Sequence, residues 1–341
     1  MRDKATVLVT GGSGFIGGWC VVGLLQQGYT VRTTVRDLSR ESAVRAALAK
    51  AVDAQDRLSF YAANLTSDAG WDAATGGCDY VLHVASPLGL PTPKNPDELI
   101  IPARDGAKRA VNAAIRAGVK RVVLTSSVAA TSGPPNGQDS VKDETTWTDI
   151  TDPAVSAYAR SKTIAERAAW DLIASSGGAT TLATVNPSLV LAPVLGRDFS
   201  DSVQVIQRLM SGKVPGLPRL GFNIVDARDV ADLHVRAMTA PEAASQRFIA
   251  AGSWAWMADM AALLSAKLGS DASKVPTRKI PDFVLRLASI FDKDLRFVTP
   301  MLNRKHDHTS AKAQKLLGWR PRSTEETVLD TARSLVKEGL V

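Results

Sequence analysis

The chain has 341 residues, 45% apolar and 22% charged, proportions that exclude collagen-like, mucin-like and strongly disordered chains. Its length passes the ~250–300 residues at which a single core stops growing, which predicts two lobes. A formal net charge of +7 raises a nucleic-acid partner, but most of the surplus lies in residues 274–341. There it is scattered among acids, without aromatic platforms or a recognition motif, so it reads as solvated helix surface and no nucleic acid is expected.

Cys20 and Cys78 are too few for a disulfide scaffold and stand in no C-x-x-C pair. His306 and His308 form an H-x-H without a third ligand nearby, so no metal is expected. The N-terminus shows no secretory pattern, and no run approaches the ~18 apolar residues of a membrane span. The expected setting is the cytoplasm, away from membranes.

In chain order, Thr6–Thr10 (TVLVT) reads as a strand and Phe15–Gln27 as a helix ended by Gly28. Thr30–Val35 is the next strand and Ser39–Ala51 the next helix. Strands at Leu58–Ala62, Tyr80–Val84 and Val122–Thr125 follow, with a helix around Gly106–Ala117 between the last two. Asp152–Ser175 reads as a long helix, then Thr181–Val185 as a strand. This alternation predicts βαβ units and a doubly wound parallel sheet, an α/β Rossmann-type fold. From Pro187 the alternation is lost among prolines and glycines. A βα unit over Phe222–Met238 is expected to return to the first lobe, with helices dominating afterwards. Ser310 is expected to cap a helix ended by Gly318, and Ser323-Thr-Glu-Glu326 has capping-box spacing. The predicted division is residues 1–186 with 222–250 as nucleotide-binding lobe, and 187–221 with 251–341 as a smaller, mostly helical substrate lobe.

Gly11, Gly14 and Gly17 lie between the first strand and first helix as G-x-x-G-x-x-G. Such a turn lets a pyrophosphate sit on free N–H groups at a helix N-terminus, with Ser13, Phe15 and Ile16 in the same cradle. The second strand ends in Val35-Arg36-Asp37, with Arg40 one turn on. A guanidinium fork suits a 2′-phosphate, which favours NADP; Asp37 is what an NAD reading would use.

Tyr158-Ala-Arg-Ser-Lys162 places a phenol and an ammonium on one helix face. The ammonium is expected to bring the phenol pKa down toward a working acid–base range. Thr125-Ser126-Ser127 ends a strand at the sheet edge where open α/β folds bind ligands, so a hydroxyl there can hold a substrate oxygen.

Together these blocks resemble the extended short-chain dehydrogenase/reductases, over nearly the whole chain. TVRTTVRD at Thr30–Asp37, VLHVASP at Val81–Pro87, VLTSS at Val123–Ser127 and the Tyr158–Lys162 block are similar to the dihydroflavonol-reductase, cinnamoyl-CoA-reductase and aldehyde-reductase branch. So are Asn186–Val190, Val225–Val230 and Lys315–Trp319. The resemblance implies Ser127, the last of T-S-S, with Tyr158 and Lys162 as the catalytic triad. It also implies that Arg36 meets the 2′-phosphate, that Asn64-Leu65 border the adenine, and that Val84, Ala85 and Ser86 lie beside the ribose. Lys162 is expected on the nicotinamide ribose, and Pro187, with Val190 beyond it, at the nicotinamide. Asn64 departs from the acidic residue usual there. Gly106-Ala-Lys-Arg109 departs from a G-T-x-N pattern found in many extended members. Ser132 stands where plant flavonoid reductases carry a substrate-gripping Asn, which speaks against a flavonoid substrate.

The expected activity is NADPH-dependent reduction of a ketone or aldehyde. Tyr158 would be the acid, with Ser127 and Tyr158 holding the carbonyl oxygen. The pocket is expected from Pro87–Pro96, Val128–Gly137 and Leu189–Phe222, with Leu88, Leu90, Val128, Ser132, Leu191, Val194, Leu195 and Phe199 marking a largely apolar small-molecule substrate. A sugar-nucleotide dehydratase fits less well, because Ser127 is followed by Val128-Ala129-Ala130 and not an Asp-Glu pair, and an epimerase, which would retain NAD, fits poorly with Arg36. A non-catalytic redox sensor fits less well because Tyr158 and Lys162 are both present. Helices around Ala107–Ala117 and Ala154–Ala174 match those forming a dimer bundle in this superfamily, so a monomer or homodimer is expected.

Overall fold

The computed structural model describes residues 5–87, 94–134, 139–196, 199–290 and 299–341. Its strands are β1 (Thr6–Thr10), β2 (Thr30–Val35), β3 (Leu58–Ala62), β4 (Tyr80–His83), β5 (Arg121–Thr125), β6 (Thr181–Pro187), β7 (Leu189–Leu191), β8 (Gly221–Asp226), β9 (Gln246–Ala250) and β10 (Trp254–Trp256). Its helices are α1 (Phe15–Gln26), α2 (Glu41–Leu48), α3 (Trp71–Thr75), α4 (Asp97–Arg116), α5 (Ala157–Ser176), α6 (Asp201–Met210), α7 (Ala227–Thr239), α8 (Met257–Leu268), α9 (Asp282–Ala288), α10 (Ala311–Leu317) and α11 (Thr324–Lys337).

Seven strands make one sheet in the order β3-β2-β1-β4-β5-β6-β9, each neighbouring pair parallel. Successive side chains alternate between its faces, so Val7 and Val9 pack toward α1 and α7 while Leu8 packs toward α4 and α5. Because helices cover both faces, the strands read as near-continuous apolar runs. The strand order reverses between β1 and β4, which leaves a crevice at their C-terminal ends. A second sheet, β10-β8-β7, backs a separate core formed by Val203, Ile206, Leu264, Val328 and Leu335. Phe15 packs against both cores, at the seam between them.

Several elements differ from expectation. α4 begins at Asp97, nine residues ahead of Gly106, and carries Pro102 inside it. The proline removes one helix bond, but Leu99 and Ala103 on either side are buried and hold the extra turns. α5 starts at Ala157 because the segment before it forms its own turn. The Asp152 carboxylate accepts from Ala154 N at 2.8 Å, and Ser156 Oγ caps the helix by accepting from Ala159 N at 3.1 Å. The βα unit at Phe222–Met238 exists as β8 and α7, and Val225 of β8 joins α7 in the main core. β8 pairs with β7 and β10, whereas α7 packs on α1 in the main core. β9 went unread as a strand, and it closes the main sheet beyond β6. Ser310 Oγ donates to Ala251 O at 2.9 Å and does not cap α10. Ser323 Oγ accepts from Glu326 N as predicted, whereas the Glu326 carboxylate pairs with Arg322 at 3.2 Å.

Candidate active site

The β1–α1 turn forms one wall of the crevice. Gly11 has φ +71°, and a Cβ on it would stand 3.0 Å from Ala85. A Cβ on Gly17 would lie 2.2 Å from Gly11 O, so the turn and the first helical turn close only without side chains. The N-cap of α1 is Gly14, which offers no side chain to the first N–H groups, and no acid occupies the first turn. Gly14 N donates to Gly11 O at 2.9 Å, while the N–H groups of the first helical turn beyond it and the helix dipole suit an anion.

Opposite the turn, Thr10 Oγ1 accepts from Val84 N and Ala85 N, both at 3.0 Å. With its lone pairs used, it donates to His83 Nδ1 at 2.9 Å, which leaves the imidazole proton on Nε2. His83 is buried and its pKa is pushed down to about 3, mainly by burial and further by Lys162. This neutral pin fixes the Val84-Ala85-Ser86 segment against the glycine turn.

At the end of β2, Arg36 and Asp37 have separate fates. The Asp37 carboxylate accepts from Ser39 N at 2.8 Å and caps a 3-10 turn, which also holds its pKa down. Arg36 is exposed, and no partner engages it among the described residues. The acid that NAD would use is therefore committed locally, while the arginine that a 2′-phosphate would use is open. Asn64 Oδ1 accepts from Thr66 N and Thr66 Oγ1, and Leu65 lies under α4. A Cβ on Gly106 would stand 2.5 Å from Leu65 Cδ2. Arg109, at the position of the missing helix Asn, donates to Leu65 O at 2.7 Å and pairs with Asp68. That substitution braces the expected adenine-side loop.

Ser127, Tyr158 and Lys162 converge beyond the C-terminal ends of β5 and β6. Ser127 Oγ accepts from Ala129 N at 3.1 Å, which leaves its proton free to donate, and its hydroxyl acts on the Tyr158 phenol. Lys162 Nζ lies 5.9 Å from the centre of the Tyr158 ring. The expected lowering of the phenol pKa is not met in this geometry. Burial pushes Tyr158 above its ordinary value, Ser127 pulls it partly back, and the Asp201 carboxylate pushes it further up. Lys162 addresses the ring and is itself pushed down to about 8 by burial, partly offset by Glu166. The arrangement holds a protonated phenol, a form that can donate.

On the substrate side, Val128 sits in the 3-10 turn that Ser127 caps. Ser132 Oγ donates to Val128 O at 2.8 Å, so its hydroxyl retains acceptor capacity only. Leu191 and Val194, expected in the pocket lining, pack into the second core, and Val190 into the main one, the short β7 burying Val190 on one face and Leu191 on the other. Pro187 pairs with Ala250 at the last position of β6. Leu88 and Leu90 lie outside the described residues. Among the described residues, no group of three or more His, Cys, Asp or Glu could hold a metal ion, and no helix is long and apolar enough to cross a membrane.

Sequence reading missed Asp201, which the fold alone brings near Tyr158, and a buried polar network centred on Glu166. A usable signal for the second existed: Glu166 follows Lys162 by four residues, on the stripe that carries Tyr158. Its partner Arg247, on the unread β9, gave no local signal.

Comparison with known proteins agrees with this geometry. Residues 7–252 match the model of the NAD dependent epimerase/dehydratase family. Cinnamoyl-CoA reductase 1 of Arabidopsis thaliana is 32% identical over 337 residues, covering 98% of this chain and 90% of that protein. An anthocyanidin reductase ((2S)-flavan-3-ol-forming) of Vitis vinifera is 34% identical over 289 residues, 80% of this chain and 83% of that one. The crystal structure of yeast methylglyoxal/isovaleraldehyde reductase Gre2, complexed with NADPH, superposes with a TM-score of 0.81 at 25% identity, covering 98% and 100% of the two chains. A glycine turn on β1, an arginine after β2 and a Ser-Tyr-Lys cluster at the strand ends thus coincide with matches along nearly the full chain. The protein belongs to the NAD dependent epimerase/dehydratase family, the extended short-chain dehydrogenase/reductases, alongside its reductase members.

Proposed function

We propose that this protein is an NADPH-dependent carbonyl reductase acting on a fairly apolar small molecule, converting a ketone or aldehyde to its alcohol. The observation that carries the reading is the convergence of Ser127, Tyr158 and Lys162 at the strand ends beside the crevice, with the Tyr158 phenol held protonated. NADPH, when bound, supplies the hydride. The Ser13–Gly17 backbone would hold its pyrophosphate and Arg36 its 2′-phosphate. Asn64 and Leu65 would border the adenine, the Val84–Ser86 segment the ribose, and Pro187 the nicotinamide.

Ser127 and Tyr158 donate hydrogen bonds to the carbonyl oxygen. Negative charge grows on that oxygen during reduction, so both bonds are stronger in the transition state than in the ground state. Tyr158 then releases its proton to the oxygen, and the Lys162 ammonium stabilises the phenolate left behind. The Asp201 carboxylate, within electrostatic reach of Tyr158, disfavours an anionic group beside the reacting carbon and supports a neutral carbonyl substrate.

The test is a panel of aromatic and aliphatic ketones and aldehydes, with an aromatic acyl-CoA thioester included. Loss of NADPH absorbance is followed and the panel repeated with NADH. Consumption of NADPH with a neutral carbonyl, well above that of NADH, is expected. Turnover of a nucleotide sugar with NAD retained through purification contradicts the proposal.

A further inference from the structure

Glu166 lies fully buried one helical turn beyond Lys162 and two beyond Tyr158. Its carboxylate gathers donors from three neighbouring strands of the main sheet. From the end of β5, Ser126 Oγ donates at 2.6 Å. From β6, Asn186 Nδ2 donates at 2.9 Å, and the same amide reaches Ser127 O at 3.2 Å. From β9, Arg247 Nε donates at 2.7 Å and its second nitrogen at 3.3 Å. Ser126 adjoins Ser127, and Asn186 adjoins Pro187, so one carboxylate grips the residues next to the serine and the expected nicotinamide contact. It does so from the helix that carries the tyrosine and lysine.

Arg247 is built in as firmly. Its guanidinium donates to Glu144 O at 2.7 Å and Thr146 O at 2.9 Å, and it stacks 3.7 Å from the Trp147 ring centre. A buried pair of this kind is weak evidence of stabilisation, since apolar replacements are often as stable. Its placement against three functional segments calls for a role in the site.

We propose that Glu166 is a positioning residue: its carboxylate, balanced by Arg247, sets the geometry of Ser127 and Pro187 and acts on Lys162 one turn away on the same helix. This rests on the carbonyl-reductase reading above. The charged and titratable groups facing this cluster are few. Tyr158 and Glu166 share α5 with Lys162, neutral His83 faces it from β4, and Arg247 approaches Glu166 from β9. Glu144 and Lys312 lie behind Arg247, and Asp201 faces Tyr158. Burial lowers the Lys162 pKa and Glu166 opposes that.

The experiment reads the alkaline limb of kcat/KM for carbonyl reduction in variants of the full chain. Glu166→Gln keeps the shape, removes the charge and leaves Arg247 unbalanced, so the limb moves down by about one pH unit. Arg247→Met leaves Glu166 unbalanced, so the limb moves up. Ser126→Ala keeps both charges, so kcat falls about fivefold with the limb in place. NADPH affinity, read by fluorescence, stays within about threefold in all three, because the expected phosphate contacts of the glycine turn and Arg36 are untouched. A role confined to folding would lower stability and yield without displacing the limb in opposite directions.

Should a single-charge variant fail to fold, the double variant Glu166→Gln with Arg247→Met removes both buried charges. Its limb moves down by less than one pH unit, since Glu166 is the nearer charge. Unmoved limbs, or shifts of the same sign in the two single variants, overturn the proposal while leaving the reductase reading intact. A wild-type chain that reduces no carbonyl overturns both.

Discussion

At the scale of single side chains, the proposed cofactor choice and working pH rest on three residues, Arg36, Tyr158 and Lys162. Arg36 is open to a 2′-phosphate while Asp37 is spent on capping. Arg36→Ala should therefore raise KM for NADPH roughly 10–100-fold, the loss of one or two charge-assisted hydrogen bonds, and leave KM for NADH almost unchanged. Equal effects on both cofactors would contradict this. The pH dependence follows from two groups. The proposed mechanism has reduction need Lys162 charged, and its pKa is pushed to about 8, so kcat/KM for reduction should be flat below that value and fall as pH rises through it. By the same mechanism alcohol oxidation would need the Tyr158 phenolate, whose pKa lies above its ordinary value, so its rate should rise with pH over the same range. Parallel profiles in the two directions would show that other groups govern the limbs.

At the level of elements, the motifs legible in the sequence are those whose residues are neighbours along the chain. Gly11–Gly17, Arg36 and Tyr158–Lys162 each occupy one turn or one helix, so spacing alone places them on the right element. What the sequence hid depends on pairing between distant segments. β9 pairs with β6 in parallel, a register that leaves no local pattern, and it carries Arg247 to Glu166 across 81 positions. Asp201, the first residue of α6, acts on Tyr158 from a separate element far along the chain. β7 is three residues long, too short to show alternation, and Leu191 on it and Val194 just beyond it both pack into the second core. The glycine turn gives the prediction at this scale. Gly17→Ala places a carbon 2.2 Å from Gly11 O, a backbone atom that can yield only if the whole turn shifts. Affinity for NADPH should fall at least about tenfold, with a lower melting temperature. Unchanged binding would show that the cradle is not where the pyrophosphate sits.

For the molecule as a whole, a seven-stranded parallel sheet brings four chain segments to one crevice, and its burial leaves three histidines neutral. His83 is pushed down to about 3 and both His234 and His308 to about 4, burial being the main cause in each. His234 donates from Nδ1 to Val230 O and accepts at Nε2 from Thr125 Oγ1, so protonation would cost a buried hydrogen bond. The unfolded chain binds these protons below about pH 6.5 while the folded chain refuses them until about pH 4. Stability should therefore fall as pH drops through that window, with a proton linkage approaching three per molecule. Urea midpoints that stay constant between pH 7 and pH 5 would contradict this. The central claim is that Tyr158 protonates the carbonyl oxygen of a substrate reduced by NADPH, and single-turnover consumption of NADPH by wild type and Tyr158→Phe tests it most directly. The account predicts a loss of roughly 10²–10⁴-fold in the variant with NADPH affinity unchanged. Near-normal consumption by Tyr158→Phe would contradict it.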